Sequence, residues 1–242
     1  MKNLLISKIF RLKTSKNYLK IIKLYHKIFG ENFKEKIDPS GIYNNEIQRN
    51  EIINKIIREK NFVNYLEIGC DEDVLFSRVQ IKNKIGVDPN KGGTHRMTSD
   101  FFFKNNLLKF DLIFIDGLHT YEQVIKDIYN SVNCLNEKGI ILLHDCFPFS
   151  YLDQAVPRAQ RKWNGDVWKA ITEIRTKKNL DTYVGAFDNG IGLILKRDNR
   201  KILLKPANNF KAIEFREYYK NYFEFLNLVS LEKFLKIIND YN

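Results

Sequence analysis

The sequence predicts an α/β fold in which a mostly parallel sheet ends in a C-terminal antiparallel hairpin and is flanked by helical N- and C-terminal extensions. Two observations lead to this prediction. From residue 62 onward, short β-branched and aromatic runs alternate with stretches of helical periodicity, which is typical of βαβ units. Before and after that region, apolar residues recur at helical spacing. The chain has 242 residues, 44% of them hydrophobic, which is enough for one elaborated domain with a sizeable core.

The strands and the central helix are predicted from local patterns of apolar residues. Strands are expected near 63–68, 84–88, 110–115 and 139–144, with a hairpin near 181–187 and 191–196. A helix is expected over 121–135, because four apolar residues share one of its faces: Val124, Ile128, Val132 and Leu135. The sheet with its connecting helices therefore forms a domain over residues 61–199.

The two flanking regions read as helical extensions, over residues 1–60 and 200–242. Residues 17–29 form an amphipathic pattern that stops at Gly30, where a left-handed backbone would be favourable, and a second pattern covers 45–60. The stretch 31–44 between them contains Pro39 and Gly41 and is expected to be a loop. Residues 207–240 repeat large apolar side chains at helical spacing and are expected to be helical.

Composition argues against several classes of protein. Charged residues or a serine interrupt the apolar runs of the N-terminal MKNLLISKIFRLK, and no apolar run reaches the roughly 18 residues of a membrane span, so neither a signal peptide nor a transmembrane segment is expected. Cys70, Cys134 and Cys146 are an odd number without CxxC spacing, which argues against a disulfide framework or a structural zinc site. A reducing, cytoplasmic location is expected.

The chain is basic, with a net charge of +11 from 40 basic and 29 acidic residues. Lysine supplies 29 of these basic residues and arginine 11. Proteins that read nucleic acids depend strongly on arginine, so nucleic acid is an unlikely partner and a solvated lysine surface is favoured. A sugar nucleotide, an RNA or an acidic membrane surface stays open as a partner.

The ends of the predicted strands carry polar residues that suit a nucleoside ligand. In an open α/β sheet, ligands bind at the carboxyl ends of the strands. Glu67, near the end of the first strand, and Gly69, just after it, stand at the expected turn into a helix with free N–H groups. Asp88 ends the second strand, nineteen residues after Gly69, which suits a ribose diol. The third strand ends in Asp116, with His119 three residues later, and the fourth ends in His144 and Asp145.

The loop after the first strand argues against a dinucleotide. It lacks the G-x-G-x-x-G fingerprint that lets backbone approach a pyrophosphate, and Asp71, Glu72 and Asp73 would repel a diphosphate. The same carboxylates would accept a ligand with a cationic sulfonium and an amino group, such as S-adenosylmethionine (SAM).

Taken together, these segments resemble class I SAM-dependent methyltransferases with a Rossmann-like sheet, particularly the group associated with sugar and polysaccharide biosynthesis. The resemblance covers about residues 62–197 and is carried by YLEIG, GVDP, DLIFIDGLHTYEQVIKDI, GIILLHDCFP, GDVWKAI and GIGLIL. It implies contacts from Glu67 and Gly69 to the methionine moiety of SAM and from Asp88 to the ribose. It also implies that Thr98–Asp100, which includes Ser99, lies near the adenine.

The catalytic assignment follows from the likeness to macrocin-type O-methyltransferases. That likeness implies that Asp116 contacts the cofactor and helps to bind Mg²⁺, that Asp145 is a second metal ligand, and that His119 is the catalytic base.

Two residues depart from the pattern of these methyltransferases. Asp73 replaces a glycine of the cofactor loop, and Cys146 follows Asp145 where catechol-type enzymes have an asparagine. Thiol suits Mg²⁺ poorly, so the metal requirement is left open.

Each candidate residue also has a structural interpretation. His119 is alternatively a cap for the helix that begins at Thr120 or Tyr121, and Asp116 and Asp145 are alternatively turn residues. His144 is expected to be structural or close to the substrate rather than a base. The irregular stretch 147–165 is expected to be a lid whose Arg158, Arg161 and Lys162 either meet an anionic substrate or are ordinary surface charges, and Trp163 and Trp168 either line a substrate pocket or belong to the core.

The predicted function is SAM-dependent O-methyl transfer to a hydroxyl of a sugar or glycan precursor. One alternative is an RNA methyltransferase, favoured by a pI of 9.4 but not by the absence of an N/D-P-P-Y/F loop. The other is a non-catalytic cofactor-binding or glycan-binding module, favoured by Asp73 and Cys146. The expected partner is a small-molecule or glycan substrate, and a homo-oligomer stays open.

Overall fold

A computed structural model describes residues 15–204 and 208–241 of the chain. Residues 1–14, 205–207 and 242 lie outside the described residues. The whole N-terminal segment MKNLLISKIFRLK, for which neither a signal peptide nor a membrane helix is expected, is among them. Within the described ranges, no helix combines the length and the apolar character that crossing a bilayer requires.

The sheet of the described chain has seven strands in the order β2-β1-β3-β4-β6-β5-β7. The strands are β1 (Asn64–Ile68), β2 (Asn83–Val87), β3 (Phe110–Ile115), β4 (Leu135–Leu143), β5 (Asp181–Gly185), β6 (Ile191–Leu195) and β7 (Leu228–Val229). Strands β2, β1, β3 and β4 are parallel, and β6 runs antiparallel to both of its neighbours, β4 and β5. The predicted fold class is confirmed: a mostly parallel Rossmann-like sheet with an antiparallel hairpin.

The helices that surround the sheet are mostly those that periodicity predicts. They are α1 (Lys16–Phe29), α2 (Arg49–Lys60), α3 (Ser99–Asn105), α4 (Tyr121–Cys134), α5 (Tyr151–Gln154), α6 (Val167–Ile174), α7 (Phe215–Leu226) and α8 (Leu231–Asn239). The predicted helix over 121–135 corresponds to α4. The stretch 31–44 has no helix or strand, as predicted.

Both faces of the sheet are covered, and the side chains alternate between them. One face packs against α2 and α8 and carries Tyr65, Leu112, Phe114, Ile140 and Leu142. The other packs against α4, α6 and α7 and carries Leu66, Ile113, Ile115, Ile141 and Leu143. Because both faces are buried, the central strands read as continuous apolar runs rather than as alternating ones. The helical extensions thus share the two cores of the sheet.

Two predicted helix boundaries on the N-terminal side need correction. Residues 45–48 are not helical, because Asn44 Oδ1 accepts hydrogen bonds from the backbone of Glu46 (2.9 Å) and Ile47 (3.0 Å) and so holds a turn before α2. Gly30 does end α1, but its φ is −86° rather than positive. Glycine is needed there for space, since a Cβ would collide with the Tyr151 hydroxyl and with the carbonyl of His26.

The C-terminal extension is not purely helical, which corrects the prediction for 207–240. Asn227 ends α7 in the left-handed conformation (φ 46°), and its side-chain amide donates to the carbonyl of Thr182 (3.1 Å). The chain then forms β7, which pairs parallel with β5 before α8 begins. A two-residue strand has too little periodicity to be seen in sequence, and it forms only because β5 presents a free edge.

The order of the strands defines where a ligand site is expected. From β1 the chain moves outward to β2 and then returns to β3 on the other side of β1. The carboxyl ends of β1 and β3 therefore flank a topological switch point, where the connections leave in opposite directions and open a crevice.

Glu67 is a buried carboxyl group in β1, close to this switch point. It is 1% exposed, and its Oε2 accepts a hydrogen bond from the Tyr65 hydroxyl at 2.6 Å. Burial raises its pKa to about 8, with a further rise from the nearby charge of Asp116. The folded protein therefore holds Glu67 largely protonated at neutral pH, whereas the unfolded chain ionises it near pH 4.5.

Ile53→Ala is expected to lower the free energy of unfolding by about 2–5 kcal/mol, because Ile53 is fully buried between α2 and the sheet and truncation leaves a cavity. Urea unfolding followed by circular dichroism measures the change. Leu107→Ala is the matched control, since Leu107 is 95% exposed and its truncation should change stability by less than about 0.5 kcal/mol. Equal effects of the two substitutions would contradict the packing of α2.

Glu67→Gln is expected to remove a pH dependence from stability. Between pH 4.5 and 8 the unfolded chain has lost the Glu67 proton and the folded protein keeps it. The wild type should therefore lose stability as pH rises through this window, at up to about 1.4 kcal/mol per pH unit. Above pH 8 this contribution becomes constant.

The measurement is the difference in unfolding free energy between the wild type and Glu67→Gln, at intervals from pH 5 to 9. Titrations elsewhere in the protein are common to both chains and cancel in the difference. Parallel curves across this range would show that Glu67 has an ordinary pKa in the folded state.

Candidate active site

The site begins where the ends of β1 and β3 meet. The amide of Asp116 donates to the carbonyl of Ile68 (2.8 Å), which joins the two strand ends. Gly69 follows with φ +88°, and a Cβ at this position would collide with the Asp116 carbonyl. Glycine is therefore required by the backbone angle and by the close approach of the next strand.

The three predicted catalytic residues lie together beyond the ends of β3 and β4. The His119 ring lies between two carboxylates, with Nε2 3.1 Å from Asp116 Oδ1 and Nδ1 3.3 Å from Asp145 Oδ2. Asp116 and Asp145 directly or closely follow neighbouring parallel strands, and His119 follows Asp116 in the turn before α4. The sequence places these residues on separate loops, and the parallel sheet brings the loops to one edge.

His144 is the fourth member of the cluster and lies deeper than His119. Its Nδ1 is 3.3 Å from Asp116 Oδ1 and 3.4 Å from Asp145 Oδ2, and its Nε2 is 3.2 Å from Asp188 Oδ1. It is 6% exposed. The sequence interpretation of a structural or substrate-proximal histidine is consistent with this position. We call Asp116, His119, His144 and Asp145 the Asp–His cluster.

The charges of this cluster compensate one another. Burial alone would lower the pKa of both imidazoles, but hydrogen bonding and the negative charges of Asp116 and Asp145 outweigh it, so the pKa of His119 is raised and that of His144 is raised well above 6.5. Burial alone would raise the pKa of Asp116, but the charge of His144 and the hydrogen bonds from both histidines hold it well below its usual value. The pairs thus favour imidazolium next to carboxylate.

Sequence reasoning did not find two residues behind His144. Arg49, at the start of α2, donates from Nη1 to Asp188 Oδ1 (3.2 Å), and its backbone amide donates to Asp188 Oδ2 (2.6 Å). Arg49 Nη1 also lies 3.2 Å from His144 Nε2. The one local feature that could have drawn attention to Asp188 is the turn Asp188-Asn189-Gly190, whose three residues all have positive φ. Its contact with Arg49, 139 positions away, is purely tertiary.

The loop between α5 and α6 covers the outer side of the cluster. The Trp163 ring stacks on His119, with ring centres 5.3 Å apart and an interplanar angle of 17°. The side-chain amide of Asn164 donates to Asp145 Oδ1 (3.1 Å), opposite the oxygen that faces His119. Gly165 has φ +66°, and a Cβ there would collide with the His119 carbonyl. Of the two predicted pocket tryptophans, Trp163 lies at the site and Trp168 is fully buried in the core.

The structure answers two further questions: whether His119 caps α4, and whether residues 147–165 are irregular. The first amide of α4, that of Tyr121, donates its hydrogen bond to the Asp166 carboxylate (2.6 Å), so Asp166 rather than His119 caps this helix. In the stretch 147–165, Tyr151–Gln154 forms α5 instead of irregular backbone. The Arg158 guanidinium lies over Trp163, 5.5 Å from the ring centre.

The predicted helix after Gly69 is not there, and this changes the setting of Asp88. A single 3₁₀ turn, Phe76–Arg78, lies between β1 and β2. The amides of Cys70 and Asp71, predicted to be free for a ligand, donate to Asp88 Oδ2 at 3.2 and 3.1 Å. Asp88 Oδ1 accepts from the amides that follow β2 at 2.7 and 2.9 Å. Asp88 thus lies at the end of β2, as predicted, and its side chain links the loop after β1 to the loop after β2.

Asp73 takes the left-handed backbone that a glycine would take at its place, with φ 60°. Its Oδ1 accepts a hydrogen bond from the amide of Gly93 (2.6 Å), so the side chain points to the loop after β2. Ser99, predicted near the adenine, is the first residue of α3, and its Oγ accepts from the Gln123 side chain (3.2 Å). Gln123 also donates to the buried carboxylate of Asp127 (3.1 Å), on the same helix.

The cluster has the donor set of a divalent cation site. One ligand atom each from Asp116, His144 and Asp145 lie within 4.8 Å of one another. Cys146 is not part of this set, because its Sγ points back toward the carbonyls of Leu143 and His144. His119 Nδ1 is buried, and although it lies 3.3 Å from Asp145 Oδ2 it makes no hydrogen bond of good geometry with any described residue. Two carboxylates and an imidazole fit Mn²⁺ or Fe²⁺ at least as well as Mg²⁺, which prefers oxygen ligands throughout.

A cleft of about 290 Å³ opens beside the cluster. Arg49 and Asp188, which contact His144, form one of its walls, and Val74 and Leu75 of the loop after β1 form another. None of the four residues of the Asp–His cluster lines this cleft, which meets the cluster only through Arg49 and Asp188, the partners of His144.

Comparison with protein families agrees with the predicted chemistry of the central segment. Residues 80–146 match the family model described as a methyltransferase domain. The matched segment contains β2, β3, α4 and β4, and with them all four residues of the Asp–His cluster. The prediction of a methyltransferase is confirmed for this segment. No curated protein matches the chain.

Among the solved structures with distant likeness to this chain are three methyltransferases. A Staphylococcus aureus protein provisionally assigned as a caffeoyl-CoA O-methyltransferase is 13% identical, with a TM-score of 0.49 over 81% of this chain and 99% of its own. An SAH-bound methyltransferase of Podospora anserina is 13% identical, with a TM-score of 0.49 over 76% and 97%. The O-methyltransferase of Bacillus cereus in complex with SAH is 9% identical, with a TM-score of 0.45 over 75% and 92%.

Proposed function

We propose that this protein is a SAM-dependent O-methyltransferase that acts on a hydroxyl group of a sugar or glycan precursor. The observation that carries the proposal is the position of His119 between the carboxylates of Asp116 and Asp145, at the carboxyl ends of two neighbouring parallel strands. The match of residues 80–146 to a methyltransferase domain supports the same chemistry.

The surroundings of the β1 end support a cationic cofactor. Glu67 is a buried carboxyl group with a raised pKa, and a ligand ammonium beside it would stabilise its ionised form. Asp71, Glu72 and Asp73 in the next loop add negative charge that suits a sulfonium and disfavours a diphosphate. Bound SAM supplies an electrophilic methyl group on a cationic sulfur. Glu67, Gly69, Asp88, Ser99 and Asp116 remain the proposed cofactor contacts.

His119 is the proposed general base. A hydroxyl attacks a methyl carbon well only as its proton leaves, and an imidazole accepts that proton. In the absence of a cation the negative charges of Asp116 and Asp145 favour imidazolium, so His119 could act as a base only when a cation held by these carboxylates offsets their charge and leaves the imidazole neutral. Stacking on Trp163 fixes the ring plane, and Asn164 holds Asp145 so that its other oxygen faces His119.

A divalent cation is the second proposed cofactor. Asp116 and Asp145 would hold it, with His144 as the third protein ligand in place of the Cys146 thiol. Such an ion would lower the pKa of a coordinated hydroxyl and orient it. This arrangement is chemically consistent with the two buried carboxylates, which otherwise depend on imidazolium partners for compensation.

The sugar or glycan acceptor rests on the resemblance carried by IDGLHTYE and LLHD and remains part of the proposal. Arg158 lies in the covering loop, where it is suited to meet an acceptor that carries a phosphate. The chemistry is assigned to residues 61–199, with 1–60 and 200–242 as N- and C-terminal extensions. A cytoplasmic location is proposed from the three cysteines, which are all free and buried.

A second candidate is a binding module without turnover. The observation in its favour is Asp88, whose two carboxylate oxygens already accept four backbone hydrogen bonds, although it is the residue proposed to bind the ribose. SAM binding is compatible with both candidates, which differ in whether bound SAM is consumed.

His119→Ala is expected to leave SAM affinity within about threefold and to lower methyl transfer by a factor on the order of 10²–10⁴, because the variant loses the base but not the cofactor contacts. Isothermal titration calorimetry measures affinity. Mass spectrometry of a panel of sugars and sugar phosphates measures transfer as the gain of one methylene. Tyr121→Phe is the matched control, since its hydroxyl bonds Glu173 outside the cluster.

Absence of SAM binding to the wild type would remove the proposed function. Binding without transfer to any member of the panel, in the presence of added Mg²⁺ or Mn²⁺, would favour the binding module. Unchanged transfer by His119→Ala would remove this residue from the role of base.

Removal of divalent cations with EDTA is expected to lower methyl transfer at least tenfold, and Mn²⁺ should restore it at least as well as Mg²⁺, because His144 is the third ligand. Asp145→Asn should prevent restoration and weaken Mn²⁺ binding in a calorimetric titration. Cys146→Ser is the matched control and should change neither. Indifference to EDTA, or failure of Cys146→Ser to bind Mn²⁺, would contradict the proposed ligand set.

A further inference from the structure

Helix α1 is attached to the rest of the protein along one narrow side. His26 is its one buried residue, 5% exposed. The His26 ring bridges two groups, with Nδ1 3.0 Å from the Tyr151 hydroxyl and Nε2 2.8 Å from the Pro157 carbonyl. These contacts fix the helix to the segment that also carries Trp163 and Asn164.

The opposite side of α1 exposes large apolar side chains. Five of them form a contiguous surface that we call the α1 apolar face: Ile21 (65% exposed), Leu24 (56%), Tyr25 (46%), Ile28 (61%) and Phe29 (73%). Single exposed apolar residues are ordinary, but a contiguous group on one helix marks an interaction surface. Helix propensity does not require them, since polar residues would form this helix equally well.

A row of lysines borders this face. Lys16, Lys20, Lys23 and Lys27 are all exposed, and at about 100° per residue they fall within a strip of roughly 60° on the helix surface. The strip lies between the attached side and the apolar face. An exposed helix with a lysine row beside an apolar face is typical of helices that lie in a lipid–water interface.

The charge of this region is one-sided. Residues 1–30 contain eight Lys and Arg residues and no Asp or Glu, so they hold most of the chain's net charge of +11. Two copies of α1 placed face to face would bring like charges together, which disfavours self-association. A nucleic acid would match the lysines but would leave Ile, Leu and Phe side chains without suitable contacts. An anionic lipid surface matches both features.

We propose that α1 docks this protein on an anionic lipid bilayer, with the α1 apolar face inserted at the headgroup level and the lysine row against lipid phosphates. Because His26 links α1 to the Pro157 segment, docking would hold the loop that covers the Asp–His cluster close to the bilayer surface. The proposal is independent of methyl transfer.

Flotation of the full-length protein with lipid vesicles tests the proposal. The protein should float with vesicles of phosphatidylcholine and phosphatidylglycerol at a ~7:3 ratio and stay behind with pure phosphatidylcholine, and binding should fall when salt rises from ~0.1 to ~0.5 M. Leu24→Gln with Ile28→Gln should weaken binding at least about tenfold. Lys20→Gln, Lys23→Gln and Lys27→Gln together should weaken it by a similar factor.

Matched controls carry the same changes elsewhere. Leu107→Gln with Leu204→Gln alters two leucines that are 95% and 88% exposed outside α1, and Lys104→Gln, Lys178→Gln and Lys220→Gln remove three exposed lysines. Both controls should bind like the wild type. Circular dichroism and thermal unfolding establish that every variant is folded.

Three results would overturn the proposal. One is no binding to anionic vesicles, and another is equal binding by the α1 variants and their controls. The third is a concentration-dependent dimer in analytical ultracentrifugation, together with no vesicle binding, where the dimer is lost in Leu24→Gln with Ile28→Gln. That result would assign the α1 apolar face to a second copy of the chain. SAM binding is measured in parallel and is expected to be unchanged in all variants.

Discussion

The compensation of buried charge beyond the ends of β3 and β4 is the constraint on which the rest of the site depends. Three carboxylates, Asp116, Asp145 and Asp188, meet two imidazoles and the guanidinium of Arg49 within hydrogen-bonding distance. With both imidazoles protonated, the charges of these groups sum to zero. Burying any of the carboxylates without a partner would be strongly unfavourable. The loops after β3, β4 and β5, and the start of α2, are therefore held where each partner can reach the cluster.

The loop that follows β1 is built differently from a phosphate-binding turn, and Asp88 shows why. Its carboxylate receives the amides of Cys70 and Asp71 on one side and those of Asn90 and Lys91 on the other. The Asp88 carboxylate thus accepts the backbone N–H groups that would face a bound anion in a phosphate-binding turn. The β1–β2 connection depends on these hydrogen bonds for its position, because it has no α-helix to pack against the sheet.

The segment after β4 serves two parts of the molecule. Its Trp163 and Asn164 contact the Asp–His cluster, and its Pro157 carbonyl receives the contact from His26 of α1. The covering loop is thereby coupled to the N-terminal helix, although the two lie more than a hundred residues apart. A change in the environment of α1 has a direct structural route to the cover of the site.

The sequence by itself determined the α/β fold, the strands that form the centre of the sheet, and the residues at their carboxyl ends. Short apolar runs and the βα alternation are local properties, and parallel strands bring their carboxyl ends to one edge whatever their order. Only the tertiary structure decided the partners of these residues. Arg49 meets Asp188 across 139 positions, Asn164 meets Asp145, and β7 pairs with the open edge of β5. It also decided that Asp88 holds the loop after β1 and that His144 rather than Cys146 faces the carboxylates. Such contacts depend on how loops pack over a finished sheet, and no local pattern of side chains encodes that.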